Sequence, residues 1–106
     1  MQNIINQLVK STNIQENLLK NTKTEVELLI LVTNYVQELI NTNIDKLMFV
    51  LYKIDVSEKK IKIALANPTT ENSAEIIAKE IIEREKEKIA TREKYSSGDS
   101  GSDWIF

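Results

Sequence analysis

Two residues that supply much of enzyme chemistry are missing, because the 106-residue chain has no cysteine and no histidine. Disulfides, thiolate nucleophiles, zinc sites built on sulfur or imidazole, and Ser-His or Cys-His relays each require one of them. Di-metal sites in helical bundles ordinarily use Glu-x-x-His pairs, which this chain cannot form. We therefore expect a protein that has no metal or other cofactor and is not an enzyme.

Glycine is almost as scarce, since both glycines, Gly98 and Gly101, lie near the end of the sequence. A loop that cradles phosphate groups needs glycine so that the backbone can approach the anion closely. The helical body that the rest of the sequence predicts therefore lacks a nucleotide-binding loop of the familiar kinds.

Long apolar runs and strong positive charge are also missing. No segment approaches the roughly 18 consecutive apolar residues of a membrane span, and the first residues lack the pattern of a secretory signal. We expect a cytoplasmic protein that does not enter a membrane. The net charge of −2 argues against a dedicated nucleic-acid binder, whose affinity comes mainly from cationic side chains on phosphates.

What the chain does contain is apolar residues at helical spacing. In the stretch 24–41 they recur three and four positions apart, which places them on one face of an α-helix. These residues are Leu28, Leu29, Val32, Tyr35, Val36, Leu39 and Ile40, with Ile30 and Leu31 beside them. The pattern predicts an all-α fold, a small bundle of four to five helices packed around residues 28–40. Similar spacing predicts helices near 44–54 and 58–66, and a long C-terminal helix over 70–95.

We expect residues 1–95 to form a single helical domain. Within it, residues 1–22 are predicted to be a weakly ordered arm, because three asparagines offer the backbone competing hydrogen bonds. The long helix loses its apolar stripe after Ile82, so its second half is predicted to project into solvent. Residues 96–106 are rich in serine, glycine and aspartate and are predicted to be a flexible, disordered acidic tail.

The tail ends in three large apolar residues, Trp104, Ile105 and Phe106, next to Asp103. Tryptophan is among the residues most enriched where binding energy concentrates, and flanking carboxylates suit an apolar pocket rimmed by lysine or arginine. We interpret these four residues as a site that docks on another protein. The alternative is that the tip folds back and covers a groove on its own helices.

The same residues carry a resemblance. Asp103, Ile105 and Phe106 resemble the acidic tip of bacterial single-stranded-DNA-binding proteins, where aspartates precede an isoleucine, a proline and a C-terminal phenylalanine. The proline is missing here, and Trp104 precedes the isoleucine. Trp104 and Phe106, on alternate positions, also resemble the C-terminal ligands of PDZ-like domains. Both resemblances imply that the tail docks on a partner protein.

A second function class, a nucleic-acid-associated helical factor, is indicated by the two helices predicted within 44–66. The short joint Asp55-Val56-Ser57 connects them as in a helix-turn-helix-like pair. Four lysines cluster around this joint and could contact phosphates: Lys53, Lys59, Lys60 and Lys62. Asp55 and Glu58 dilute the positive charge, so a solvated lysine face is the other interpretation.

We thus predict a small, non-enzymatic interaction or assembly protein as the leading function, with the nucleic-acid factor as the alternative. An accessory subunit of a larger enzyme complex would show the same features. Association of the chain with further copies of itself, as a homo-oligomer, is also compatible with the sequence.

Overall fold

The structure, a computed structural model, describes residues 2–66 and 70–97, and all regular structure in this part of the chain is α-helical. The helices are α1 (Gln2–Ser11), α2 (Glu16–Lys20), α3 (Glu25–Thr42), α4 (Ile44–Ile54), α5 (Glu58–Leu65) and α6 (Thr70–Ser97). This confirms the predicted all-α fold and the long C-terminal helix. The six helices of the described residues are slightly more than the four to five predicted. Residues 98–106, which carry most of the predicted tail, lie outside the described residues.

One hydrophobic core joins all six of these helices, and α6 runs through it. The core includes the buried residues Leu8, Leu19, Leu28, Val36, Leu47, Leu51, Ile54, Ile61, Ile77 and Ile81. Helix α6 packs against α1, α3, α4 and α5, whereas α3 packs against α2, α4 and α6. The predicted central helix is therefore not surrounded by others. Two of its apolar side chains face solvent, since Val26 is 68% and Ile30 is 55% exposed.

Side-chain caps explain where the middle helices begin. The hydroxyl of Thr24 accepts a hydrogen bond from the backbone N–H of Glu27 at 3.1 Å, which starts α3. The amide oxygen of Asn43 accepts one from Lys46 N–H at 3.1 Å and starts α4. Helix α3 ends at Thr42 and α4 begins at Ile44, so Asn43 follows one helix and caps the next.

The turn between α4 and α5 depends on Asp55, which adopts the left-handed conformation with φ 72°. This conformation ends α4, and the N–H of Val56 returns to the carbonyl of Leu51 at 3.0 Å. Arg84 of α6 holds the turn from the outside. Its Nε donates to the Asp55 carbonyl at 3.1 Å, and its Nη2 donates to the Asp55 carboxylate at 3.2 Å.

Helix α1 covers the second half of α6, so the prediction that this half projects into solvent is wrong. Asn3 donates to the Glu93 carboxylate at 3.1 Å, and the hydroxyl of Ser11 donates to Glu85 Oε2 at 2.6 Å. Ile89 packs against the core between these two contacts. The apolar stripe of α6 does end near Ile82, but polar side chains of α1 form hydrogen bonds with the polar side chains that follow it.

The carboxylate of Glu85 is fully buried at this α1–α6 interface. Its Oε1 accepts no hydrogen bond within the described structure, and Lys88 Nζ lies 3.5 Å from it. A buried carboxylate is costly unless donors replace the water that it has lost. The Ser11 hydroxyl therefore contributes directly to the stability of the α1–α6 contact.

We expect Ser11→Ala to lower the free energy of unfolding by about 1–3 kcal/mol, because it leaves a buried carboxylate oxygen without its donor. In the Glu85→Leu background the carboxylate is absent, so Ser11→Ala should lower the free energy of unfolding by less than about 0.5 kcal/mol. Urea unfolding of the four proteins measures both values. Equal costs in the two backgrounds would show that the hydrogen bond does not stabilise the interface.

A second prediction concerns the Asp55 turn. Glycine adopts positive φ without steric cost, so Asp55→Gly should change the free energy of unfolding by less than about 1 kcal/mol. Asp55→Val should be less stable than Asp55→Gly by about 1–2 kcal/mol, since the left-handed conformation penalises a β-branched side chain. Asp55→Asn, which tolerates this conformation, serves as the control. A valine variant as stable as the glycine variant would contradict the assigned turn.

Candidate functional site

The predicted partner-binding residues Asp103, Trp104, Ile105 and Phe106 lie outside the described residues. Helix α6 continues to Ser97, so these residues follow its C-terminal end. Docking of the tip on a partner, or on its own helices, stays a prediction.

The four lysines of the helix-turn-helix-like pair do not form one surface. Lys53 points its ammonium towards α1, where it donates to the Lys10 carbonyl at 3.4 Å. Lys60 forms an ion pair of 3.3 Å with Glu80 of α6. Lys59 and Lys62 are exposed on α5. All four side chains are exposed, but the ammonium groups of Lys53 and Lys60 are held by partners on α1 and α6.

The two helices of that pair, α4 and α5, do not pack against each other as the helices of a helix-turn-helix do. Helix α5 packs against α6 alone among the described helices, although it follows α4 after a short joint. Helix-turn-helix proteins use the first helix to set the second across the major groove. Here α6 positions α5 through the buried residues Ile61 and Ala64 and through the hydrogen bond from Ser73 to the Ala64 carbonyl at 2.5 Å.

Four exposed apolar side chains lie together on α4. Ile44 is 41%, Met48 is 38%, Phe49 is 67% and Tyr52 is 84% exposed. At 100° per residue these four side chains and Asp45 share one side of the helix. We call these five residues the outer face of α4. The buried residues of the helix lie on the opposite side and are Leu47, Val50, Leu51 and Ile54.

The sequence analysis missed this outer face, although the sequence contains the signal for it. The spacing of Leu47, Val50, Leu51 and Ile54 correctly predicts the side of α4 that faces the core. The remaining positions of the helix include Ile44, Met48, Phe49 and Tyr52, which form a second apolar side. A helix that is apolar all round is expected to be buried on all sides, so partial exposure of such a helix marks a surface available for contacts.

A groove between α3 and α6 is one of several concave regions on the described surface. Its volume is about 320 Å³, and its lining residues include Val26, Leu28, Leu29, Lys79, Ile82 and Glu83. Glu25 and Lys86 meet at its edge, with 2.6 Å between the carboxylate and ammonium groups. The hydrogen bond and the positive charge of Lys86 hold the pKa of Glu25 below its usual value, and the same hydrogen bond raises the pKa of Lys86. The pair stays charged at neutral pH.

This groove provides little chemistry. Ligand sites usually combine an apolar wall with a few polar groups that converge on one point. Glu25 and Lys86 instead neutralise each other, and the groove is at the small end of the range for small-molecule pockets. Within residues 2–66 and 70–97, moreover, no group of three or more carboxylates is placed to hold a metal ion.

None of the described helices is long and apolar enough to cross a membrane.

We expect the chain to show no saturable binding to random duplex DNA at about 150 mM salt and 10 μM protein, because Lys53 and Lys60 already have partners and the other two lysines neutralise few phosphates. Fluorescence anisotropy of a labelled duplex measures this. Binding that weakens steeply with salt, and that Lys59→Ala/Lys62→Ala reduces, would instead support the nucleic-acid factor. Lys23→Ala/Lys46→Ala removes two exposed lysines elsewhere and is the matched control.

In comparisons with known proteins, no family model, no curated protein and no solved structure matches the chain.

Proposed function

We propose that the protein is a small, non-enzymatic interaction or assembly protein of the cytoplasm that docks on a partner protein through Asp103, Trp104, Ile105 and Phe106. The observation that carries this proposal is the position of three large apolar side chains after a run of serine, glycine and aspartate. Residues of that run favour solvent and bury little apolar surface. The tip therefore needs a binding surface outside its own segment.

The chemistry of the tip indicates the kind of partner. Trp104 and Phe106 supply large apolar surfaces, which bind best in a preformed pocket that excludes water. Asp99 and Asp103 precede them and add negative charge. A pocket with apolar walls and a lysine or arginine at its rim would complement both features.

The described helices form a hydrophobic core without side chains from the tip. Every helix from α1 to α6 contributes side chains to one hydrophobic cluster, and this cluster forms among the described residues. The groove between α3 and α6 has the Glu25–Lys86 ion pair at its edge.

The test compares the full chain with Trp104→Ser/Phe106→Ser. We expect the two proteins to melt within about 2 °C of each other, because the tip does not stabilise the helices. A photo-crosslinking side chain at Ser102 should link the full chain to a discrete protein in cells, and the double substitution should abolish that product. Ile63→Ser removes an apolar side chain that is 64% exposed on α5 and is the matched control.

Two outcomes would contradict the proposal. A melting temperature lowered by more than about 5 °C, which corresponds to roughly 1 kcal/mol in a domain of this size, would show that the tip packs on its own helices. The same crosslinked product with and without Trp104 and Phe106 would show that the tip does not select the partner.

A further inference from the structure

We infer that the outer face of α4 binds the same face of a second copy of the chain, with the two helices antiparallel and related by a twofold axis. This surface is separate in sequence from the tip, and the inference does not depend on the function proposed for the tip. It rests on the shape of the face, on the order of its polar groups and on its exposed area.

The outer face consists of two adjacent ridges. Ile44, Met48 and Tyr52 form one ridge at four-residue spacing, and Asp45 and Phe49 form the next. Ridges of this spacing pack into the grooves between the ridges of another helix, at crossing angles near −50°. Since an identical face on a second copy has identical ridges and grooves, the two can interlock as an isologous contact.

The polar groups of the face select the antiparallel direction. Asp45 lies at the N-terminal end of the stripe and Tyr52 at its C-terminal end, and both are exposed. Neither side chain makes a hydrogen bond or an ion pair with another described residue. An antiparallel second copy centred between Met48 and Phe49 places its Tyr52 opposite Asp45, and its Asp45 opposite Tyr52. Each phenol can then donate a charge-assisted hydrogen bond to a carboxylate.

A parallel arrangement gives the opposite result. It sets the two Asp45 carboxylates side by side at one end, where like charges repel in a partly desolvated contact. It also leaves both phenols without an acceptor at the other end. The antiparallel arrangement, in contrast, brings the two Phe49 rings together near the twofold axis, where an aromatic pair is favourable.

The area of the face sets the strength of the dimer. Four partly exposed apolar side chains offer a few hundred Å² per copy, below the roughly 800 Å² that each partner buries in a standard stable interface. We therefore expect association in the micromolar range, with Phe49 and Tyr52 contributing most because aromatic side chains dominate such contacts.

Sedimentation equilibrium of the full chain, from about 5 μM to 1 mM, tests the association. The average mass should rise from that of the 12.2 kDa monomer towards twice that value. Phe49→Ser should weaken the dimer at least about tenfold. Ile30→Ser, which removes a comparably exposed apolar side chain from α3, should leave it unchanged. Both positions are exposed, and circular dichroism verifies that each variant folds.

The direction of the helices is tested by cysteine crosslinking, because the chain has no cysteine of its own. A mixture of Asp45→Cys and Tyr52→Cys copies, treated with a short bismaleimide, should form the mixed dimer in preference to either symmetric product. A chain that stays monomeric to 1 mM would overturn the inference, as would equal weakening by Phe49→Ser and Ile30→Ser. Preferential linkage of Asp45→Cys to itself would overturn the antiparallel arrangement.

Discussion

Burial of the apolar stripe of α6 is the interaction on which the rest of the fold depends. Helices shorter than about 12–15 residues are marginal in water on their own, and α1, α2, α4 and α5 are all shorter than that. Three of these four pack against α6, which is 28 residues long. Its buried alanines, Ala74 and Ala78, have small side chains that let neighbouring helices approach closely. Loss of this stripe would leave the short helices without the surface that stabilises them.

The two halves of α6 hold their neighbours by different means. The first half buries apolar side chains such as Ile77 and Ile81 against the core. The second half holds α1 largely through polar contacts, with Glu85 buried beneath Ser11. Apolar contacts tolerate sliding, whereas a buried carboxylate requires its donor at one position. The polar half therefore specifies where α1 lies along α6, whereas the apolar half supplies the side chains that α6 buries in the core.

The parts of the fold that follow from local rules could be predicted from sequence. The helices begin at capping residues such as Thr24 and Asn43, and the side of α4 that faces the core follows from spacing. The course of α1 along α6 could not be predicted, because it depends on contacts such as Ser11 with Glu85 between distant positions. A charged stretch such as that after Ile82 is predicted to be exposed to solvent, because the sequence does not show which helix packs against it.

Of the candidate sites, the lysines were correctly located on two helices. Their separation, however, depends on Glu80 and on the Lys10 carbonyl, which residue spacing does not reveal.

The outer face of α4 shows why a helix can be both correctly and incompletely predicted. The inner side of α4 contacts α1, α3 and α6, and this contact is enough to hold the helix in the bundle. Nothing in that packing requires Phe49 or Tyr52 to be apolar, and polar residues at those positions would make the surface more soluble. Exposed aromatic side chains raise the chance of non-specific association unless a specific contact covers them. A short helix that is apolar on both sides is thus better explained by two contacts, one with its own bundle and one with another molecule, than by folding alone.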